Sequence, residues 1–87
     1  MSDDYYKVIY AATATIHLYS KNVIVNPGMT IGQFMETYAN LCRRVSDEIL
    51  SIFQYELSAN QLEKAVYLYM SGVLNPQDVE DTEVYQR

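Results

Sequence analysis

The sequence predicts a small all-α protein, and three observations support that class. Apolar side chains recur every three or four residues through the middle of the chain, which places them on one helix face. Two segments begin with serine or threonine followed three residues later by glutamine, the capping-box pattern of a helix start. The 87 residues have room for one hydrophobic core. We therefore expect one helical domain over residues 1–75, a three-helix domain with helices at about 3–21, 30–55 and 58–74.

The first segment fits two secondary structures. Every even-numbered residue from 6 to 18 is apolar, as in a half-buried strand. Tyr5, Ile9 and Ala12 begin a second series with alternating spacings of four and three, as on a helix face. Strands usually span five or six residues, and the alanines suit a helix better. We expect a helix; the alternative is an α+β fold with an N-terminal β-hairpin, turning at residues 20–22, followed by a helical hairpin.

The middle and last helices have clear start signals. Thr30 and Gln33 form one capping-box pattern, and Ser58 and Gln61 form the other. The link from residue 53 to 58 is short, which predicts that the two helices pack as an antiparallel hairpin. The apolar stripe of the middle helix continues to Ile52 and Phe53. The predicted core of the hairpin contains Phe34, Tyr38, Leu41, Val45, Ile49, Leu62, Val66 and Tyr69.

The net charge of −5 is concentrated near the ends of the chain. Residues 5–75 carry equal numbers of acidic and basic side chains, so no basic stripe is available for direct nucleic-acid binding. Residues 76–87 are predicted to be a flexible acidic tail. Its candidate contacts with a basic partner are Asp78, Glu80, Asp81 and Glu83.

Side chains with catalytic or metal-binding chemistry are few. His17 and Cys42 are the one histidine and the one cysteine, too few for a structural zinc site. Cys42 lies on the apolar stripe, where a thiol is usually a small buried hydrophobe. We expect no catalytic site, no metal and no cofactor.

The cellular compartment is predicted from what the sequence contains. A lone cysteine, an acidic N-terminus and apolar stretches too short to span a bilayer favour a cytoplasmic protein without a membrane anchor.

Nine tyrosines and no tryptophan are the unusual feature of the composition. Tyrosines on several sides of the first and last helices exceed what one small core can cover. Tyrosine gives large contact area at low entropy cost, so the surplus predicts an interface. The candidate interface residues are Tyr5, Tyr6, Tyr10, Leu18, Tyr19 and Tyr67. We expect a homo-oligomer, with any other protein partner unidentified.

These features favour a non-enzymatic protein-protein interaction module. Inhibitors and adaptors encoded by mobile elements such as phages are often this small, and by analogy the chain would occlude a larger target protein. One alternative is a structural or assembly subunit that acts through self-association. Another is a nucleotide binder in an oligomer cleft, with Lys7, Lys21 and Arg43 contacting phosphate.

Overall fold

The first segment is a helix, as predicted. In the computed structural model, which describes residues 2–72, helix α1 spans Ser2–Leu18. It is followed by α2 (Ile31–Thr37), α3 (Ala39–Phe53) and α4 (Ala59–Ser71). No strand occurs between residues 2 and 72, so the all-α class is confirmed for that range and the β-hairpin alternative is wrong.

The predicted middle helix is interrupted at Tyr38, so four helices replace the expected three. Tyr38 has φ −113° and ψ 45°, whereas a helical ψ is about −42°. Its hydroxyl accepts a hydrogen bond from the Ile24 N–H (2.8 Å) and donates to the Ile24 carbonyl (3.1 Å). The interruption coincides with this contact between residues 14 positions apart, and no local sequence pattern predicts the contact. Neither proline nor glycine marks the position, and the apolar period continues through it.

Both predicted capping boxes are confirmed. The Thr30 hydroxyl accepts from the Gln33 N–H at 3.0 Å, and the Gln33 side chain accepts from the Thr30 N–H at 2.9 Å. Ser58 and Gln61 make the same reciprocal pair at 3.1 Å each. Gly72 caps the end of α4 in the left-handed region at φ 70°, a conformation that glycine adopts without strain. The helix therefore ends three residues before the predicted boundary at residue 74.

Helix α1 packs most extensively against α4 and next against α3, while α2 packs against α4 and α3. Tyr5 near the start of α1 contacts Gln61 near the start of α4. His17 near the end of α1 contacts Tyr69 near the end of α4, so α1 and α4 run parallel. Tyr19, just after α1, contacts Arg44 and Glu48 in the middle of α3. The start of α1 is joined through Gln61 to Tyr55, just beyond the end of α3, so α1 and α3 run antiparallel.

Few close backbone contacts join α3 to α4 directly. The expected hairpin of the middle and last helices is confirmed only in part. Helix α2, the first part of the predicted middle helix, packs against α4, with the Phe34 and Tyr69 rings 5.6 Å apart, whereas α3 packs mainly against α1.

The core draws on all four helices. Of the predicted core residues, five are buried: Phe34, Val45, Ile49, Leu62 and Val66. The other three, Tyr38, Leu41 and Tyr69, are partly buried and pack around that core. The rest of the core comes from Cys42 of α3, Ala65 of α4 and four buried residues of α1: Val8, Ile9, Ala12 and Ile16. Ile52, which continues the stripe of α3, is 60 % exposed, whereas Phe53 in the same last turn packs against the core.

Candidate functional site: the groove between α1 and α4

Small side chains bring α1 and α4 close together. Ala12 and Ala65 are fully buried between the helices. Thr13 is also fully buried, and its single hydroxyl proton is shared between a hydrogen bond to the Ile9 carbonyl (2.9 Å) and a weaker one to the Ala65 carbonyl (3.4 Å). The second of these bonds crosses from α1 to α4. The buried hydroxyl is thus satisfied mainly within α1, at a point where the two helices are in contact.

A buried glutamine joins the starts of the same two helices. Gln61 is 1 % exposed, and its amide nitrogen donates to the Tyr5 carbonyl (3.0 Å) and to the Tyr55 hydroxyl (3.1 Å). Its amide oxygen accepts from the Ser58 N–H in the capping box. Every polar atom of this side chain is therefore used, since an amide offers two donors and one acceptor group. The N-terminal turns of α1 and α4 are held in a fixed register.

Outside these contacts, α1 and α4 form an open groove of about 200 Å³. Tyr6 is 53 % exposed and Tyr67 is 58 % exposed, so each helix presents one large, half-exposed aromatic side chain. Exposed aromatics on rigid helices are typical of protein-binding surfaces. The groove is lined by Tyr6, Ile9, Tyr10, Lys64, Tyr67 and Leu68.

Lys64 is the charged residue of the groove and is held at its edge. Its ammonium donates to the Tyr5 hydroxyl at 3.1 Å and lies 5.2 Å from the centre of that ring. The Tyr5 hydroxyl in turn donates to Asn60 at 3.0 Å, and its ring packs edge-on against Tyr6 at 5.0 Å. The hydrogen bond to Tyr5 is the main cause that raises the pKa of Lys64 above its usual value. A lysine is charged at neutral pH in any case, and the contacts with Tyr5 place this positive charge beside the apolar side chains of the groove.

The predicted interface residues divide into two sets. Tyr6, Tyr10 and Tyr67 line the groove together, and Tyr5 lies at its edge. Leu18 is 70 % exposed but lies about 120° around α1 from Tyr6.

Tyr19 belongs to a different contact. Its hydroxyl donates to Glu48 at 3.0 Å, and the Arg44 guanidinium lies 4.3 Å from its ring centre. This tyrosine is occupied in binding α1 to α3 and does not line the groove.

Sequence reasoning missed Ile9, Lys64 and Leu68 as groove residues. The available signal was spacing: Lys64, Tyr67 and Leu68 recur at three and four residues, which places them on one side of α4. Only the tertiary structure shows that α1 packs against this side of α4.

His17 and Cys42 both occupy packing positions. The His17 ring is half-buried, 4.8 Å from the Tyr69 ring. Cys42 is 6 % exposed, and burial raises the pKa of its thiol, which disfavours the nucleophilic thiolate. Between residues 2 and 72, no three histidine, cysteine or acidic side chains gather as a metal site would require.

The remaining candidate contacts lie apart from the groove. Lys7, Lys21 and Arg43, the candidate phosphate contacts, are exposed on α1, on the α1–α2 connector and on α3. They are not brought together within one chain. The acidic residues Asp78, Glu80, Asp81 and Glu83 lie outside the described residues.

No protein-family model matches the chain, and no similar curated protein or solved structure was found. None of the helices within residues 2–72 has the length and hydropathy needed to cross a lipid bilayer.

Proposed function

We propose that this chain is a non-enzymatic protein-protein interaction module that binds its partner through the groove between α1 and α4. The observation that carries the proposal is the pair of half-exposed tyrosines, Tyr6 and Tyr67, on two helices whose N-terminal turns are held in a fixed register. A rigid aromatic loses little conformational entropy when a partner covers it. Binding energy at interfaces is concentrated in such tyrosines.

The size of the groove favours a protein partner over a small ligand. Small-molecule sites usually measure about 300–1,000 Å³. The groove is smaller, at about 200 Å³, and open to solvent. One large side chain of a partner protein suits this space better than a nucleotide does.

The mode of action that we propose is occlusion of a larger target. A chain of 87 residues that binds by one face can block a functional surface without chemistry of its own. By analogy, inhibitors and adaptors of mobile elements such as phages work in this way. An assembly subunit that acts by self-association is the second candidate, favoured by the same exposed tyrosines.

Site-specific photo-cross-linking tests the groove. The photoreactive analogue p-benzoylphenylalanine replaces Tyr67 in one variant and Asn40, which is exposed on α3, in the control. Both variants are irradiated in cells that naturally contain the chain, and products are identified by mass spectrometry. We expect a discrete product with another protein from position 67 and none from position 40. Equal products from both positions, or none from position 67, would contradict the proposal.

A further inference from the structure

We infer that a second copy of this chain occupies the groove between α1 and α4, with Tyr67 of each copy inserted into the groove of the other. This inference rests on the groove of the proposed function and names one occupant for it. Self-association through the groove would compete with binding of a target protein.

The surface that contains the groove and the exposed Tyr67 side chain, here called the patch, is self-complementary in shape. Tyr67 projects from α4 with 58 % of its surface exposed, and the groove beside it holds about 200 Å³. The projection and the cavity therefore belong to one surface of one chain. A two-fold axis brings each projection to the other copy's cavity, which closes the assembly at two copies.

The floor and walls of the groove suit a tyrosine. Ile9 and Leu68 offer apolar contact for a ring, and Tyr6 and Tyr10 offer aromatic edges and faces. Aromatic pairs contribute beyond the area that they bury.

Charge does not oppose the pairing of two copies. Residues 5–72 carry five acidic and five basic side chains, so the net charge of −5 does not arise there. The exposed residues Glu63 and Lys64 adjoin each other on α4, one turn before Tyr67. A second copy therefore brings a carboxylate as well as an ammonium to the same patch, and Lys64 of one copy can pair with Glu63 of the other.

The area of the patch predicts a weak dimer. An aromatic side chain buries roughly 150–250 Å² when fully covered. Covering what remains exposed of Tyr6, Tyr10 and Tyr67 thus removes a few hundred square ångströms per copy. A standard interface buries roughly 800 Å² per partner, so we expect a weak dimer, with a dissociation constant of about 10–500 μM.

Sedimentation velocity of the full chain tests the inference over about 1 μM to 1 mM. We expect the wild type to shift towards twice its monomer mass of 10.0 kDa as concentration rises. The variant Tyr67→Glu should weaken association about tenfold or more, because it places a carboxylate in an apolar groove. Leu18→Glu is the matched control, since Leu18 is exposed on α1 away from the groove and should associate as the wild type does.

A charge swap tests the pairing across the axis. Lys64→Glu alone should weaken association about two- to fivefold, and adding Glu63→Lys should restore it. A purely intramolecular role for Lys64 would give no restoration, since the swap does not rebuild the bond from Lys64 to Tyr5.

Each remaining outcome is decisive. A wild type that stays monomeric overturns the inference, as does a dimer that resists Tyr67→Glu or dissociates equally with Leu18→Glu. Circular dichroism verifies folding, and Tyr67→Ser replaces Tyr67→Glu if the latter loses its helical signal.

Failure of the dimer leaves a cross-link from position 67 to another protein intact. Failure of that cross-link leaves the dimer intact, so the two proposals fail separately.

Discussion

The side-chain amide of Gln61 donates a hydrogen bond to the backbone carbonyl of Tyr5 at 3.0 Å, joining two helices whose residues lie 56 positions apart in the sequence. Gln61 also completes the capping box of α4, so one side chain both begins a helix and positions it against another. The groove with Tyr6 and Tyr67 depends on this register.

We predict that Gln61→Leu lowers the free energy of unfolding by about 1–3 kcal/mol. The substitution leaves the partly buried Tyr5 carbonyl without this donor and removes the bond to Ser58. Gln33→Leu is the control, because Gln33 occupies the same position in the capping box of α2 but is exposed. Urea unfolding should show a smaller loss for Gln33→Leu, and equal losses would contradict the role of burial.

Two isoleucines of α3 test the core. Ile49 is fully buried and Ile52 is 60 % exposed, although both belong to the predicted stripe. Ile49→Ala should cost about 2–5 kcal/mol, because it leaves a cavity. Ile52→Ala should change stability by no more than about 0.5 kcal/mol, as is usual for surface substitutions. Thermal unfolding followed by circular dichroism measures both, and similar melting temperatures for the two variants would refute the assignment.

The Tyr38 hydroxyl is expected to stabilise the connector between α1 and α2. Tyr38→Phe removes both bonds to the Ile24 backbone and should cost about 0.5–1.5 kcal/mol, since water can replace part of them. Amide hydrogen exchange at Ile24 should accelerate. Tyr67→Phe, which alters an exposed ring, serves as the control. Unchanged exchange at Ile24 in Tyr38→Phe would show that the hydroxyl does not hold the connector.

Cys42 should react slowly with a thiol reagent in the folded protein. Its side chain is buried, and burial raises the pKa of the thiol, so less thiolate is present at pH 8 than for an exposed cysteine. We expect modification by a disulfide reagent to be at least about tenfold slower than in urea, because the site must open first. The control carries Cys42→Ser with Asn40→Cys, which places a thiol on the exposed side of α3. Equal rates for the two proteins would mean that the thiol of Cys42 is accessible.

The same pKa shift gives a pH dependence of stability. Because the folded pKa of Cys42 exceeds the unfolded one, the neutral thiol stabilises the fold below the unfolded pKa, and this contribution is lost as pH rises through the folded pKa. Cys42→Ser should therefore flatten the decline in stability at alkaline pH, measured by urea unfolding across that range.

The sequence by itself determined the helical class and the starts of two helices. The capping boxes at Thr30 and Ser58 join residues three positions apart, so their physics is local and can be read from the chain. The 3.6-residue period likewise identified buried positions such as Val45 and Ile49 without knowledge of the packing partner.

Only the tertiary structure decided where the middle helix breaks and which tyrosines remain exposed. Tyr38 is held by the backbone of Ile24, and Tyr19 by Arg44 and Glu48, all through contacts distant in sequence. Composition showed a surplus of tyrosine, but an apolar ring is covered or left exposed according to the helix that lies beside it. Because α1 packs along both α3 and α4, it covers one side of each and leaves Tyr6 and Tyr67 facing solvent across a shared groove.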